Sequence, residues 1–526
     1  MNEHHSIALA GPAAGRTSFG SILLPGTEPQ AIGNAQAPDC FEDLNLDQVV
    51  AAVVAGYQEY DLAPLFQSLP VDLDTIRYRQ EVMRDLEDEP LRRLIASFTA
   101  RIREIQVKLA ASEKSSYAHE AQRGFLEAAR RYVAAMRELS GGLAARPPHS
   151  HGLRAFAACL RDSVADGQFA RLETDAEGVV DQLAAVRYCL LIDGDAITVR
   201  PYEGEIDYGA AVERTFEKFR RDAVESYLSK FPAAGRLNHI DAQIVDRVAR
   251  LNPGPFRALA DFRITHATFL DPAIARFERE VQFYLSYLAY IEPMRRAGLP
   301  FCYPSVSADS KEISASGAFD TALAAKRVSE GATVVGNDFH LRGTDRILLV
   351  SGPNQGGKTT FARMFGQMHY LAGLGCPVPG ERAKLLMCDY VLTHFERQED
   401  IRHLRGKLHE DLVRIRRGLD RSSRNSIAVM NEIFASTTVE DALFLCREIL
   451  AQLRDRDMVG VFVTFLTELA AFDGSIVSMV ASVDPLDPSS KTYRIERRAA
   501  DGLAYALAVA RKHRLTHDAV LERLAP

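Results

Sequence analysis

The segment best suited to chemistry is a glycine-rich loop, residues 352–359, with the sequence GPNQGGKT. An apolar stretch at 346–351 runs into it, and a helix-like stretch at 360–372 follows. Small residues let successive backbone N–H groups face a phosphate, and the helix N-terminus favours negative charge. The loop therefore predicts a nucleoside triphosphate site with the consecutive ligands Gly352, Pro353, Asn354, Gln355, Gly356, Gly357, Lys358, Thr359 and Thr360.

Two side chains of this loop have distinct predicted roles. Lys358 is predicted to act in catalysis on the β- and γ-phosphate oxygens, and the hydroxyl of Thr359 to bind Mg²⁺. Such a site also needs an acidic group at a neighbouring strand end. The stretch 426–430 ends in Asn431 and Glu432. Glu432 is predicted to orient or activate the attacking water, and Asn431 to join the metal site where an aspartate is usual; alternatively, the two residues only end a strand or cap a helix.

The elements that must position these residues alternate between strand and helix. Short apolar strands are predicted at 347–350, 427–430 and 459–464, which indicates an α/β domain with a mainly parallel sheet. Before about residue 325 the pattern is largely helical. An apolar stripe at helical spacing runs from Leu91 to Leu109, and a second long helix begins at Asp271 and Pro272, with Pro293 expected to kink or end it.

Two further segments interrupt this pattern. Residues 187–202 predict a β-hairpin around an Asp-Gly-Asp turn. Residues 1–43 are rich in Gly, Ala, Pro and Ser, with one short apolar patch at 22–24. We expect them to form a flexible tail or a segment that docks late.

Composition narrows the class of protein. The 526 residues have globular composition and a formal net charge of −7, which argues mildly against a dedicated DNA-coating protein. The seven cysteines form no C-x-x-C pair, so a reduced cytoplasmic chain is the expectation. The longest nearly apolar run, 458–466, has nine residues. That is about half of what spans a bilayer, so it predicts a buried strand and no membrane partner.

The loop at 352–359 resembles the phosphate-loop variant of the MutS family of DNA mismatch-repair ATPases, within the wider ABC-type ATPases. The resemblance resumes at 431–433, at 437–441 and at 463–469. It implies ATP and Mg²⁺ as cofactors and a fold of class α plus α/β. Residues 44–330 would form a helical core and lever region with a hairpin-containing insertion around 187–262, and residues 331–526 a P-loop ATPase domain.

Several departures from the family shape the expected function. Because the helical core pattern starts near residue 44, we expect the family's mismatch-reading N-terminal domain to be absent. The serine that reaches the γ-phosphate of a dimer partner would fall near 405–411, where no serine occurs. Arg405 or Lys407 could supply charge in trans there, although a solvated charged helix is the alternative. Asn431 and Phe465 replace the family's metal-shell aspartate and phosphate-sensing histidine, which predicts slow or differently controlled hydrolysis.

Two function hypotheses follow. The first is a homodimeric, ATP-driven clamp that acts on DNA or on DNA-repair and recombination structures other than mispairs. The second is an interaction scaffold that binds nucleotide with little turnover. DNA as a partner is implied by the resemblance alone, because the region 214–263 has no dense basic stripe.

Overall fold

The computed structural model describes residues 19–26, 37–70, 72–205, 237–396, 406–483 and 491–499. The helices are α1 (Cys40–Asp43), α2 (Leu46–Val54), α3 (Ala63–Gln67), α4 (Leu73–Asp85), α5 (Glu89–Glu113), α6 (Ala118–Ala145), α7 (His151–Ala165), α8 (Gly167–Ala184), α9 (His239–Leu251), α10 (Pro253–Thr265), α11 (Pro272–Arg296), α12 (Thr321–Ser329), α13 (Lys358–Gly373), α14 (Lys407–Arg421) and α15 (Val439–Asp455). None of these described helices is long and apolar enough to cross a membrane.

The strands fall into several sheets. They are β1 (Tyr188–Asp193), β2 (Ala196–Pro201), β3 (Phe301–Cys302), β4 (Ser305–Ser307), β5 (Ile313–Ala318), β6 (Asn337–Leu341), β7 (Ile347–Ser351), β8 (Val378–Pro379), β9 (Arg382–Leu386), β10 (Val391–Phe395), β11 (Ile427–Asn431), β12 (Val459–Val463), β13 (Ile476–Val483) and β14 (Lys491–Arg497). The chain divides into two compact units. The first takes Met1–Phe19, Glu89–Pro148 and Arg154–Glu278, and the second takes Gly20–Asp88, His149–Leu153 and Arg279–Pro526.

The first unit is built mainly from helices. Helices α5 and α6 are separated by only four residues and form a helical hairpin. Ion pairs such as Lys108–Glu127 (3.1 Å) join the C-terminal part of α5 to the N-terminal half of α6. The predicted stripe is confirmed at its centre, where Phe98, Ile102 and Ile105 are buried. The predicted hairpin is also confirmed, since β1 and β2 pair antiparallel. Residues 206–236 of the predicted insertion lie outside the described residues.

The second unit contains the predicted parallel sheet. Its strand order is β10-β11-β12-β7-β13-β14, and only the β13–β14 pair is antiparallel. The three strands predicted from sequence are β7, β11 and β12. Their alternating side chains face opposite sides, so Leu349, Met430 and Phe462 pack with apolar residues of α14 and α15. Helix α13 lies against β11 and β12.

Residues from the region predicted as a tail belong to this packed unit. Ile22 and Leu23 are fully buried, and the ring of Phe41 in α1 lies 5.2 Å, centroid to centroid, from that of Tyr370 in α13. Residues 20–23 and 40–43 therefore fit the alternative expectation of a docked segment and not that of a flexible tail, while 1–18 and 27–36 lie outside the described residues. These segments are docked by a few apolar side chains. The side chains are too sparse to form a periodic pattern in the sequence.

The division into units also differs from the predicted boundaries. Residues 20–88 group with the parallel sheet and not with the long helices at 89–278. Their contacts with α13 explain this: Gln367 donates a hydrogen bond to the Leu44 carbonyl (2.8 Å), and Tyr370 donates one to the Phe66 carbonyl (2.9 Å). Helix α11 begins as predicted at Pro272 but continues through Pro293 to Arg296.

One buried histidine of α13 makes the stability of this unit depend on pH. The Nδ1 of His369 donates to the Phe365 carbonyl (2.8 Å), and its Nε2 has no hydrogen-bond partner within the described part of the chain. Complete burial of the ring lowers the pKa of His369 from 6.5 to about 4. The neutral ring is therefore the form that fits the fold.

We expect the free energy of unfolding to fall by about 2 kcal/mol through His369 between pH 7 and pH 5. The unfolded state has the higher pKa and binds the proton first, so this stability is present above about pH 6.5 and is lost towards pH 4. Chemical denaturation of wild type and His369→Gln measures the effect. Glutamine can donate to the same carbonyl but does not titrate, so equal pH dependence in both proteins would contradict the prediction.

Candidate functional site

The predicted phosphate loop, residues 352–359, joins β7 to α13 and has the predicted strand, loop and helix arrangement. Gly352 (φ +124°) and Gly357 (φ +94°) have backbone conformations that side chains disfavour. A Cβ on Gly352 would also lie 2.9 Å from the Cβ of Ala481 in β13. Gly357 is the N-cap of α13, so the helix begins at Lys358. The glycines therefore let the loop turn tightly against β13. They also let the N-terminus of α13 point into the loop.

Lys358 is folded into the loop. Its side chain is only 5% exposed, and its Nζ donates to the carbonyls of Gly352 (2.9 Å) and Pro353 (3.2 Å). The Nζ also lies 3.5 Å from Oε1 of Glu432, with which it forms an ion pair. A buried ammonium needs such partners. The structure thus brings the predicted phosphate-binding cation and the predicted catalytic carboxylate into contact.

The two predicted metal ligands also meet. The hydroxyl of Thr359 donates to Oδ1 of Asn431 at 3.1 Å, across the space between α13 and β11. Both atoms are hard oxygen donors of the kind that Mg²⁺ prefers. The described residues hold no group of three His, Cys, Asp or Glu side chains that could bind a metal. The donor set therefore fits a Mg²⁺ ion that takes its remaining ligands from phosphates and water.

Glu432 follows β11 in an unusual backbone conformation. Its φ is +51°, in the left-handed region, and its N–H donates to the Val463 carbonyl of β12 (2.9 Å). Such strain at a non-glycine residue is common at functional sites. Helix α15 begins later, at Val439, and Thr438 caps it. The alternative in which Asn431 and Glu432 cap this helix is therefore wrong, and the turn directs the Glu432 carboxylate towards Lys358.

The structure adds residues that the sequence reasoning missed. Tyr493 of β14 has φ +59°, and its carbonyl accepts a hydrogen bond from Nδ2 of Asn337 (3.2 Å). A Cβ on Gly357 would lie 3.6 Å from this same carbonyl oxygen. Lys491 donates to Oε1 of Gln355 at 2.8 Å. Strand β14 therefore lines the loop, although no motif marks it because it lies more than 130 residues further along the chain.

The remaining predicted residues are placed less centrally. Lys407 at the start of α14 forms an ion pair with Glu396 (2.7 Å), which competes with the predicted role in trans. Arg405 lies outside the described residues. Phe465, the second residue after β12, is 54% exposed, while the N–H of its neighbour Thr464 donates to the Val350 carbonyl (3.0 Å). Phe465 is thus held at the same sheet edge as Asn431 but faces solvent.

Residues 348–523 match the family model for MutS domain V. This part of the chain belongs to the MutS domain V family. It is 29% identical over 154 residues to the DNA mismatch repair protein MutS of Geobacillus thermodenitrificans, covering 29% of this chain and 17% of the relative. It is 32% identical over 194 residues to the endonuclease MutS2 of Thermus thermophilus, covering 36% of this chain and 25% of that relative. The similarity therefore spans at most a quarter of either MutS-family relative.

Proposed function

We propose that this MutS-family chain binds and hydrolyses ATP with Mg²⁺, and that the nucleotide switches a homodimeric, clamp-like assembly. The observation that supports the proposal is the convergence of four side chains at one sheet edge. Lys358 contacts Glu432, and Thr359 contacts Asn431, although these pairs are more than 70 residues apart in sequence. Parallel α/β sheets bind ligands at the carboxyl ends of their strands, which is where all four lie.

The residues of the chain suggest how turnover would proceed. When ATP binds, Lys358 would exchange its hydrogen bonds to the Gly352 and Pro353 carbonyls for phosphate oxygens. This exchange would weaken the ion pair with Glu432 and leave that carboxylate able to accept a proton from the attacking water. Thr359 and Asn431 would hold a Mg²⁺ ion, which neutralises phosphate charge when bound.

DNA and a second copy of the chain are the proposed partners. The curated relatives named MutS carry the words DNA mismatch repair in their names, and the resemblance implies DNA binding for this chain as well. We propose repair or recombination structures, not mispairs, as the target. A salt-dependent mobility shift of duplex, fork and junction DNA tests this step separately from ATP turnover.

The neutral side chain of Asn431 predicts an unusual need for Mg²⁺. Asn431→Asp should lower the Mg²⁺ concentration for half-maximal hydrolysis by about an order of magnitude or more, because an added unit charge about 4 Å from a divalent cation contributes on the order of 2 to 8 kcal/mol. Phosphate release across a Mg²⁺ titration measures this. Asn425→Asp adds the same charge before β11, at the opposite end of that strand, and serves as the matched control.

The same titration separates the two function hypotheses. Wild-type turnover that is low but Mg²⁺-dependent supports an ATPase with a weakened metal site. If both Asn431→Asp and wild type release phosphate at background level while still binding ATP, the chain is a nucleotide-binding scaffold and the ATPase proposal fails. A lower Mg²⁺ requirement in the Asn425→Asp control would show that net charge, not the position of residue 431, is responsible.

A further inference from the structure

A short irregular segment, residues 20–24, packs within the second unit and is called the strap here. Ile22 and Leu23 are fully buried. An irregular backbone at this depth must satisfy its polar groups through side chains. The side chains come from two helices: Tyr78 of α4 donates to the Ser21 carbonyl (2.8 Å), and Tyr284 of α11 donates to the Ile22 carbonyl (2.6 Å).

A carboxylate of α11 completes the attachment of the strap. Oε2 of Glu280 accepts hydrogen bonds from the Ser21 hydroxyl (2.7 Å) and from the Ile22 N–H (2.9 Å). Charge-assisted bonds of this kind are stronger than neutral ones. Burial raises the pKa of Tyr284 well above its ordinary value, so its hydroxyl stays a donor across the physiological range. The strap is therefore bound to α11 at successive residues.

One arginine connects the strap to the phosphate-loop helix. Arg79 of α4 is buried, and its Nε donates to the Leu23 carbonyl (2.9 Å). Its Nη1 donates to the carbonyl of Leu374 (3.4 Å), the C-cap of α13. Cationic groups are favourable at helix C-termini. Its guanidinium carbon also lies 5.3 Å from the ring centroid of Phe283 in α11. Arg79 thus contacts the strap, α11 and the end of α13.

The space around Arg79 leaves little freedom for α13 to move alone. A Cβ on Gly375 would lie 2.6 Å from the Cβ of Arg79, so α4 packs directly on the turn that follows α13. Tyr287 of α11 donates to the Pro377 carbonyl (2.7 Å) in the same turn. Helix α13 has 16 residues and begins at Lys358, so it spans about 24 Å from the phosphate loop to Arg79.

We propose that Arg79 is a positioning residue which, with the strap, makes α11 respond to nucleotide bound at the far end of α13. The inference rests on the proposed nucleotide binding and deepens it. A ligand at the phosphate loop acts on the N-terminus of α13. The C-terminus of that helix is held by a guanidinium that also holds the strap, and the strap is held by Glu280 and Tyr284. Removing Arg79, or the hydrogen bonds that hold the strap, should uncouple α11 from bound nucleotide without removing any group from the phosphate loop.

The test compares full-length variants by hydrogen–deuterium exchange with and without Mg²⁺ and a non-hydrolysable ATP analogue. The readout is the nucleotide-dependent change in amide exchange of residues 279–292. Arg79→Lys keeps the charge but not the fork of donors that reaches two carbonyls. Tyr284→Phe removes only the hydroxyl that binds the strap. Tyr290→Phe, whose hydroxyl donates to the Thr321 carbonyl (3.3 Å), is the matched control on the same helix.

We expect the change in exchange to fall about fivefold or more in Arg79→Lys and Tyr284→Phe and to persist in Tyr290→Phe. Calorimetric affinity for the analogue should stay within about threefold of wild type, since the phosphate loop is intact. The coupling is overturned if the nucleotide-dependent change in exchange is the same as in wild type in both Arg79→Lys and Tyr284→Phe. It is also overturned if Tyr290→Phe loses this change to the same extent. Wild type that binds nucleotide without a response in α11 also overturns it, whereas wild type that binds no nucleotide refutes the proposed function itself.

Discussion

Replacing Lys358 with alanine is expected to weaken ATP binding by about a hundredfold or more, which corresponds to roughly 3 kcal/mol. The lysine is the cation at the mouth of the loop, and charge-assisted bonds to phosphate are lost with it. Lys358 donates to the Gly352 and Pro353 carbonyls, but the shape of the loop also depends on its glycine conformations and on its packing against β13. We therefore expect the loop to keep its fold in the variant. Isothermal calorimetry with ATP measures the loss.

A second lysine beside the loop provides the control for this substitution. Lys491 donates to Gln355 at 2.8 Å but lies on β14 and is not part of the predicted phosphate site. Lys491→Ala removes one positive charge near the loop, so it measures the general electrostatic effect. Circular dichroism shows whether either variant remains folded. ATP affinity that is equal in folded Lys358→Ala and wild type would exclude the phosphate-loop interpretation.

Glu432→Gln is expected to reduce turnover by about a hundredfold or more while ATP remains bound. Glutamine has nearly the same shape but cannot accept the proton of the attacking water. The substitution also removes the ion pair between residue 432 and Lys358, whose charged atoms lie 3.5 Å apart. Because Lys358 then has one fewer protein partner to give up when it binds phosphate, ATP affinity should not fall. Phosphate release and calorimetry on the same preparation separate the two effects.

The same variant is expected to accumulate as a dimer when ATP is present. If the proposed site is shared between two copies, as in ABC-type ATPases, ATP that is bound but not hydrolysed holds the copies together. Light scattering with and without ATP measures the mass, and Lys358→Ala with ATP is the control that should remain unshifted. Monomers under every nucleotide condition would contradict the shared site while leaving ATP binding itself intact.

The parts of the fold that were predictable are those with local signals. The loop at 352–359 and strands β7, β11 and β12 follow from glycine spacing and short apolar runs, and the hairpin at 188–201 follows from its turn. The approach of Asn431 to Thr359 was expected because a nucleoside triphosphate site needs a metal-binding group at a neighbouring strand end. These features depend on residues close in sequence or on a general requirement of the chemistry.

The parts that were not predictable depend on contacts between distant residues. Arg79 and Leu374 are separated by 295 positions, and nothing in the sequence around Arg79 marks it as a hydrogen-bond donor to a helix end. The burial of Ser21 and Ile22 likewise depends on Glu280 and Tyr284, and not on any periodicity of the segment itself. Tyr493 was missed because its contribution is a backbone carbonyl, which any residue type could supply.

The packing of α1, Leu44 and α3 on α13, the helix that follows the phosphate loop, has a consequence for synthesis on the ribosome. Gln367 and Leu44, which share a hydrogen bond, are 323 positions apart. At about 5 to 20 residues per second, the apolar faces of Phe41 and Phe66 would wait roughly 15 to 65 s for α13 to be made. The segment matched by the family model therefore cannot complete its own core as it emerges. It must recruit residues 37–67, which are made first and are exposed to chaperones or to wrong partners during that interval.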